Sequence, residues 1–165
     1  MSKARKSPAM RPFARSLPMQ LMRAREAVMR RFRPHLAAHG LSEQQWRVLR
    51  ALIEADSLDI LDLAGRCQIH PASLSRMLPK LSAAGLVTRR ANASDQRRIV
   101  VSITGEGRAL FEALAPESEA IYAAIEREIG GDRLRELYRS LDELINAIED
   151  HSAAARAGLA AADTM

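Results

Sequence analysis

The stretch RRANASDQRRIVVSIT, residues 89–104, sets two arginine pairs on either side of a short polar turn. Behind the second pair, Ile99, Val100, Val101, Ser102 and Ile103 make a β-branched run that reads as a strand. The pattern predicts a hairpin with strands near residues 86–90 and 97–103 and with Arg89, Arg90, Arg97 and Arg98 around its tip. Asp95, within the turn, is expected to hold one of these arginines in a salt bridge. A hairpin that only met solvent has no need of four guanidinium groups and no glutamate. Its place in an otherwise helical chain decides the fold.

Working back from it, residues 58–85, LDILDLAGRCQIHPASLSRMLPKLSAAG, read as a helix-turn-helix. A short helix runs from about Leu58 to Arg66, with Asp59 and Asp62 at its positive end. Pro71 suits the first turn of the second helix, and Gly85 ends it. Leu74, Met77, Leu78 and Leu81 give that second helix an inner face. Ala72, Ser73, Ser75, Arg76 and Lys80 point the other way. Small and hydroxyl side chains approach base edges closely, and an arginine reaches guanine bidentately. A helix-turn-helix followed by a two-stranded ribbon is a winged helix, whose ribbon lies along the adjacent minor groove or its phosphates. The partner so implied is double-stranded DNA.

Charge agrees with this reading. The chain of 165 residues carries a net charge of +5. Residues 1–103 hold 19 Lys/Arg against 7 Asp/Glu, and residues 104–165 hold 6 against 13, so +12 stands against −7. The basic part contains the hairpin, as expected for one side of a molecule meeting a polyanion.

Outside the winged helix the chain reads as long helices. Residues 1–15 are a basic arm without periodicity, expected to be disordered. From Leu17 to about Ala38, Leu21, Met22, Arg25, Val28, Met29, Phe32 and Leu36 share one face, and Gly40 closes the helix. Ser42 and Gln45 fit a capping box for the next helix, whose stripe is Trp46, Leu49, Leu52 and Ile53. Residues 104–150 are helical with a break at Gly130-Gly131, and residues 151–165 form an Ala-rich tail expected to be disordered.

These residues resemble the MarR family of bacterial transcription regulators. The segment 95–110, DQRRIVVSITGEGRAL, with Asp95 and Arg97, is similar to that family's wing signature. The segment 17–52, LPMQLMRAREAVMRRFRPHLAAHGLSEQQWRVLRAL, resembles its branch of homoprotocatechuate and related aromatic-acid regulators. The resemblance implies a mainly α fold: a winged helix-turn-helix over 41–103, a two-stranded β wing, and dimerisation helices over 16–40 and 104–150. It implies a homodimer on a pseudo-palindromic operator and a repressor released by a small aromatic carboxylate. Hydroxyphenylacetates, catecholic acids and pyridine carboxylates such as hydroxynicotinate all fit. Pro79 departs from the family pattern. Either the reading helix kinks over Ser75–Leu78, or its reading end is the first two turns, which sets Lys80 apart from Ser73 and Arg76.

For an effector pocket the candidates are Arg15 or Arg25 for the carboxylate, Met22 and Trp46 for the ring, and His70 at the hinge before the reading helix. Arg25, on an apolar stripe, needs an anion: Glu26, an acid of the other chain, or the ligand. The alternative is an internal salt bridge at Arg25 and a plain core Trp46. The single cysteine, Cys67, excludes an internal disulfide and a Cys-rich zinc cluster, and reads as small buried packing. A thiol-responsive regulator or a metal site at His35 and His39 is the alternative reading, as is a helical interaction protein that never meets DNA. No metal or cofactor is expected. No Gly-rich phosphate loop or nucleophile elbow suggests an enzyme. No apolar run approaches a membrane span and no leader is apparent, so a cytoplasmic protein is expected.

Overall fold

The computed structural model describes residues 10–92 and 98–162, with backbone alone over 151–162. The expected disorder of residues 1–9 and 163–165, and the expected roles of Asp95 and Arg97, lie outside the described residues. Within the remaining arm, Phe13–Arg15 make one 3-10 turn. Six helices follow: α1 (Leu17–Ala38), α2 (Glu43–Ala55), α3 (Ile60–Arg66), α4 (Pro71–Ala83), α5 (Gly105–Ile129) and α6 (Gly131–Ala162). Three strands, β1 (Ser57–Asp59), β2 (Val87–Ala91) and β3 (Ile99–Ile103), form one antiparallel sheet in the order β1-β3-β2.

Local chemistry sets most of these bounds. Ser42 and Gln45 complete the capping box of α2, with Ser42 N–H donating to Gln45 at 2.8 Å and Gln45 N–H to Ser42 at 3.2 Å. Gly130, at φ +91°, makes the turn from α5 into α6, a conformation that favours glycine. α4 runs unbroken through Pro79, whose missing N–H leaves the Ser75 carbonyl without its helical donor.

Two expectations are corrected. The wing sheet has three strands, because Ser57–Asp59 pairs with β3 in the register Ser57↔Ser102, Leu58↔Val101, Asp59↔Val100. The third helix therefore starts at Ile60, with Asp59 as its N-cap accepting from Leu61 N–H at 2.9 Å. Leu58 is a strand residue because its backbone pairs with that of buried Val101. The Ala-rich tail is the second correction. α6 continues as helix to Ala162, in keeping with alanine's leading helix propensity.

Residues divide into two compact units within α5, one ending at Glu119 and the other beginning at Ala120. The first has a core of Leu36, Leu49, Leu52, Leu63, Leu74, Leu78, Leu81, Val101 and Leu114, all at most 1% exposed. Of the described residues of α1, Phe32, His35 and Leu36 are the buried ones. Its N-terminal half leaves Leu17, Leu21, Met22 and Val28 exposed. In the second unit α6 likewise exposes Leu137, Tyr138, Ile145 and Ile148.

Candidate DNA-reading surface and effector residues

α3 and α4 pack against each other with Leu63, Leu74 and Leu78 buried, which turns the other face of α4 to solvent. Ser75, Arg76 and Lys80 are exposed, and Ser73 is half-buried. Ser73, Arg76 and Lys80 recur at three and four residues, so the unbroken helix keeps all three on one face. His70 is the N-cap of α4, its Nδ1 accepting from Ala72 N–H at 3.3 Å, and its ring is exposed beside that face.

Beyond α4 the wing rises from the sheet. Arg89 and Arg90 are exposed on β2, an edge strand. Their registers, Arg89↔Val101 and Arg90↔Val100, send the two side chains to opposite faces. Asn92 N–H donates to the Arg98 carbonyl at 2.8 Å and closes the hairpin around residues 93–97. Arg98 turns back from the tip. Its Nε donates to Asp59 Oδ2 at 3.0 Å, and Asp62 lies 3.9 Å from its Nη2. The Leu61 N–H, with the Arg98 guanidinium beside it, holds the Asp59 carboxyl below its usual range against the opposing effect of burial. Asp59 thus caps α3 and anchors the wing at once. Sequence reading had credited it with the helix end alone, since strand β1 carries no periodic signal over three residues.

The effector candidates are not brought into one cavity. Trp46 is 5% exposed and stacks on Phe111 with ring centroids 5.2 Å apart. Arg15 closes the 3-10 turn before α1, and His70 belongs to α4. Met22 and Arg25 line an open trough along α1 with Met19, Arg23 and Arg30. Arg25 is half-exposed rather than buried, and it pairs with Glu43 of α2. Glu26, its neighbour in sequence, faces elsewhere, as adjacent helical residues must. It takes Arg33 bidentately at 2.5 and 2.7 Å, and Arg33 also reaches Glu43 at 3.3 Å. Burial raises the Glu43 carboxyl, but the Arg25 and Arg33 guanidiniums outweigh it and leave the group below its ordinary value. α1 and α2 are thereby tied by a chain of four alternating charges.

Cys67 is 4% exposed, and burial pushes its thiol up, away from the reactive thiolate. It joins α2 to α3: its carbonyl accepts from Arg47 Nη1 at 2.7 Å, and its Sγ donates to the Arg47 carbonyl at 3.5 Å. This argues against the thiol-responsive reading.

A family model of the MarR family matches residues 41–99, the winged helix just described. The homoprotocatechuate degradative operon repressor of Escherichia coli is 40% identical over 130 residues, 79% of this chain and 88% of that protein. The chain belongs to the MarR family. The regulator FarR of Neisseria gonorrhoeae is 41% identical to this MarR protein over 135 residues, 82% of this chain and 92% of its own. The crystal structure of NadR in complex with 4-hydroxyphenylacetate matches with a TM-score of 0.71 at 38% identity, covering 82% of this chain and 96% of that one. The expected family, its aromatic-acid branch and the mainly helical winged-helix fold are all borne out, and the protein is a MarR-type transcriptional regulator. Among the described residues no helix is long and apolar enough to cross a membrane.

Proposed function

We propose that this regulator is a cytoplasmic, homodimeric repressor of an operon for aromatic or heteroaromatic acid degradation, and not an enzyme. Its operator is a pseudo-palindrome read by two copies of the winged helix, with half-sites about one helical turn apart. A small aromatic carboxylate releases it. The observation that carries this reading is the 40% identity to a repressor whose name specifies homoprotocatechuate degradation. The complex of NadR with 4-hydroxyphenylacetate, a one-ring acid of the same kind, supports it.

In this reading Ser73, Ser75, Arg76 and Lys80 face the major groove, and Arg89, Arg90 and Arg97 face the minor groove and phosphates. Asp95 shapes the wing turn and Arg98 fixes the wing to α3. The exposed apolar residues of α1 and α6 supply the two dimerisation surfaces. Arg25 is the carboxylate candidate on α1, where a ligand exchanges with Glu43 for its guanidinium.

Fluorescence anisotropy on the DNA upstream of the protein's own gene tests the proposal, with a panel of hydroxyphenylacetates, catecholic acids and hydroxynicotinate. Tight binding that one acid releases is the expected result. Binding should weaken steeply with salt, with a slope near −0.9 per phosphate neutralised, as the logarithm of affinity against that of salt. A flat salt response, or no binding, overturns the DNA reading. Arg97→Ala should weaken operator binding by about 1–3 kcal/mol with the dimer intact.

A further inference from the structure

Arginines gather where α2 passes the end of α3. Arg47 and Arg50 of α2 and Arg66 of α3 line one open recess of about 260 Å³, together with Ala51, Glu54 and Cys67. Arg47 and Arg50 are three apart on α2, so their side chains share a face. Arg66 is the last residue of α3. Arg47 and Arg66 both draw the Cys67 thiol downward against the larger effect of burial, so the two charges converge on one buried group. Glu54 is the one acid among the six lining residues, and Arg66 holds it in an ion pair.

Arg47 carries a second, independent observation. Its Nη1 donates to the Cys67 carbonyl at 2.7 Å, whereas its Nε is buried and has no hydrogen-bond partner among the described residues. Buried donors are nearly always paired, and a charged one left alone costs more than a neutral one. With Nη1 engaged, the edge of the guanidinium that remains for a two-point contact is Nε with Nη2, and arginine takes oxyanions by such an edge. We propose that this recess binds a phosphate group, held on that edge of Arg47 and flanked by Arg50 and Arg66. Three guanidiniums against one carboxylate leave a charge of +2, which a phosphate dianion balances.

The surroundings favour this ligand over others. The six lining residues include no ring, so an aromatic acid finds nothing to stack on there. The negative end of α3 falls at Cys67, and Arg47 covers that carbonyl, so an anion does not meet a bare helix C-terminus. At about 30 Å³ per water, the recess holds a tetrahedral oxyanion with part of its hydration. Two sources present such a group: free phosphate and the backbone of DNA. α3 is the first helix of the helix-turn-helix, the one that crosses the DNA backbone in this motif. A phosphate between α2 and α3 braces that helix from a second side, beside the two bonds that already join Arg47 and Cys67.

Two measurements on the full chain test the site and tell its sources apart. Titration calorimetry with inorganic phosphate, at pH 7.5 and fixed ionic strength, reads the free anion. Anisotropy on the DNA upstream of the protein's own gene, taken against salt, reads the backbone. Wild type, Glu54→Gln and the double variant Arg50→Gln/Arg66→Gln are compared, and all three changed side chains are exposed. For the free anion, wild type should give a saturable isotherm. It should weaken at least tenfold in the double variant and tighten several-fold in Glu54→Gln, where Arg66 is released from its acid. For the backbone, the double variant should bind the operator at least tenfold more weakly at low salt. The slope of log affinity against log salt should also fall by about 0.9, the share of one phosphate, and Glu54→Gln should move the affinity the other way. Either response upholds the site and identifies its source. A double variant equal to wild type in both measurements overturns the proposal, as does a weakening there with no opposite change in Glu54→Gln.

Discussion

Gly107 offers the sharpest test of how the wing is seated on the rest of the domain. It lies in the first turn of α5, buried, where a Cβ would stand 2.3 Å from the Leu86 carbonyl oxygen and 2.9 Å from Ile103 Cγ1. Leu86 leads into β2 and Ile103 ends β3, so Gly107→Ala pushes on both wing strands together. The first clash is with backbone, and that carbonyl accepts from Thr104 N–H at 3.2 Å. Moving it strains a bond at the start of α5, where Thr104 Oγ1 also donates to the Gly85 carbonyl at 2.6 Å and accepts from Gly107 N–H at 3.0 Å. Overpacking of this kind costs about 1–3 kcal/mol, and the loss of one hydrogen bond adds about 1 kcal/mol. Alanine's better helix propensity returns at most about 1 kcal/mol. The net is a destabilisation of roughly 1–4 kcal/mol, about 3–12 °C in Tm at about 3 °C per kcal/mol for a chain of this size. Gly105, two residues earlier, is the control, for a Cβ there meets nothing within 4 Å. Gly105→Ala should leave stability unchanged or raise it by up to about 1 kcal/mol. Thermal melts at one fixed protein concentration read both. Equal melting of Gly107→Ala and wild type, or an equal fall in both variants, refutes the packing argument.

Pro79→Ala should raise stability by about 1–3 kcal/mol by restoring the donor to the Ser75 carbonyl in an exposed part of α4, and chemical denaturation measures it; a loss would mean that the ring itself packs. Arg98→Ala should free the wing from α3 and weaken operator binding without altering the dimer, seen by anisotropy beside sedimentation; unchanged affinity would remove the Asp59 anchor from the mechanism. Asp59 carries its own pH signature, because its carboxyl is held below the ordinary value. The anchor's stabilisation is therefore complete above the unfolded-state value and is lost as pH falls through the lower folded one. In Asp59→Asn that acid limb of a stability-against-pH curve should flatten. Trp46→Phe should keep the stack on Phe111 and melt near wild type, whereas Trp46→Ala should lose about 3–5 kcal/mol, as expected for emptying a site that is 5% exposed.

Where sequence and structure agree, the signal is local or periodic. Ser42 with Gln45, Pro71 at the start of α4 and the leucine spacing of α4 each need only neighbouring residues, and each matches the structure. The two strands of the hairpin were legible from the short-range β-branched pattern. What the sequence hid depends on pairing at long range. β1 is three residues long, too short for alternation to register, and it exists because β3 presents an open edge to it. Arg25 was expected to seek an anion, and it found Glu43, 18 residues away, by a turn of α1 against α2 that no spacing encodes.

His35 is the most instructive case. On the helix it falls three residues after Phe32, a position that predicts burial, and near the C-terminus, where a histidine's charge is welcome to the helix dipole. Both readings are satisfied by a residue with no function, and its four-residue spacing to His39 suggested only a metal pair. The difference lies in which atoms of α5 arrive opposite the ring: the Leu114 carbonyl and the Ser118 hydroxyl at Nε2, and the Glu117 carboxylate 2.9 Å from Nδ1, groups that no local spacing announces.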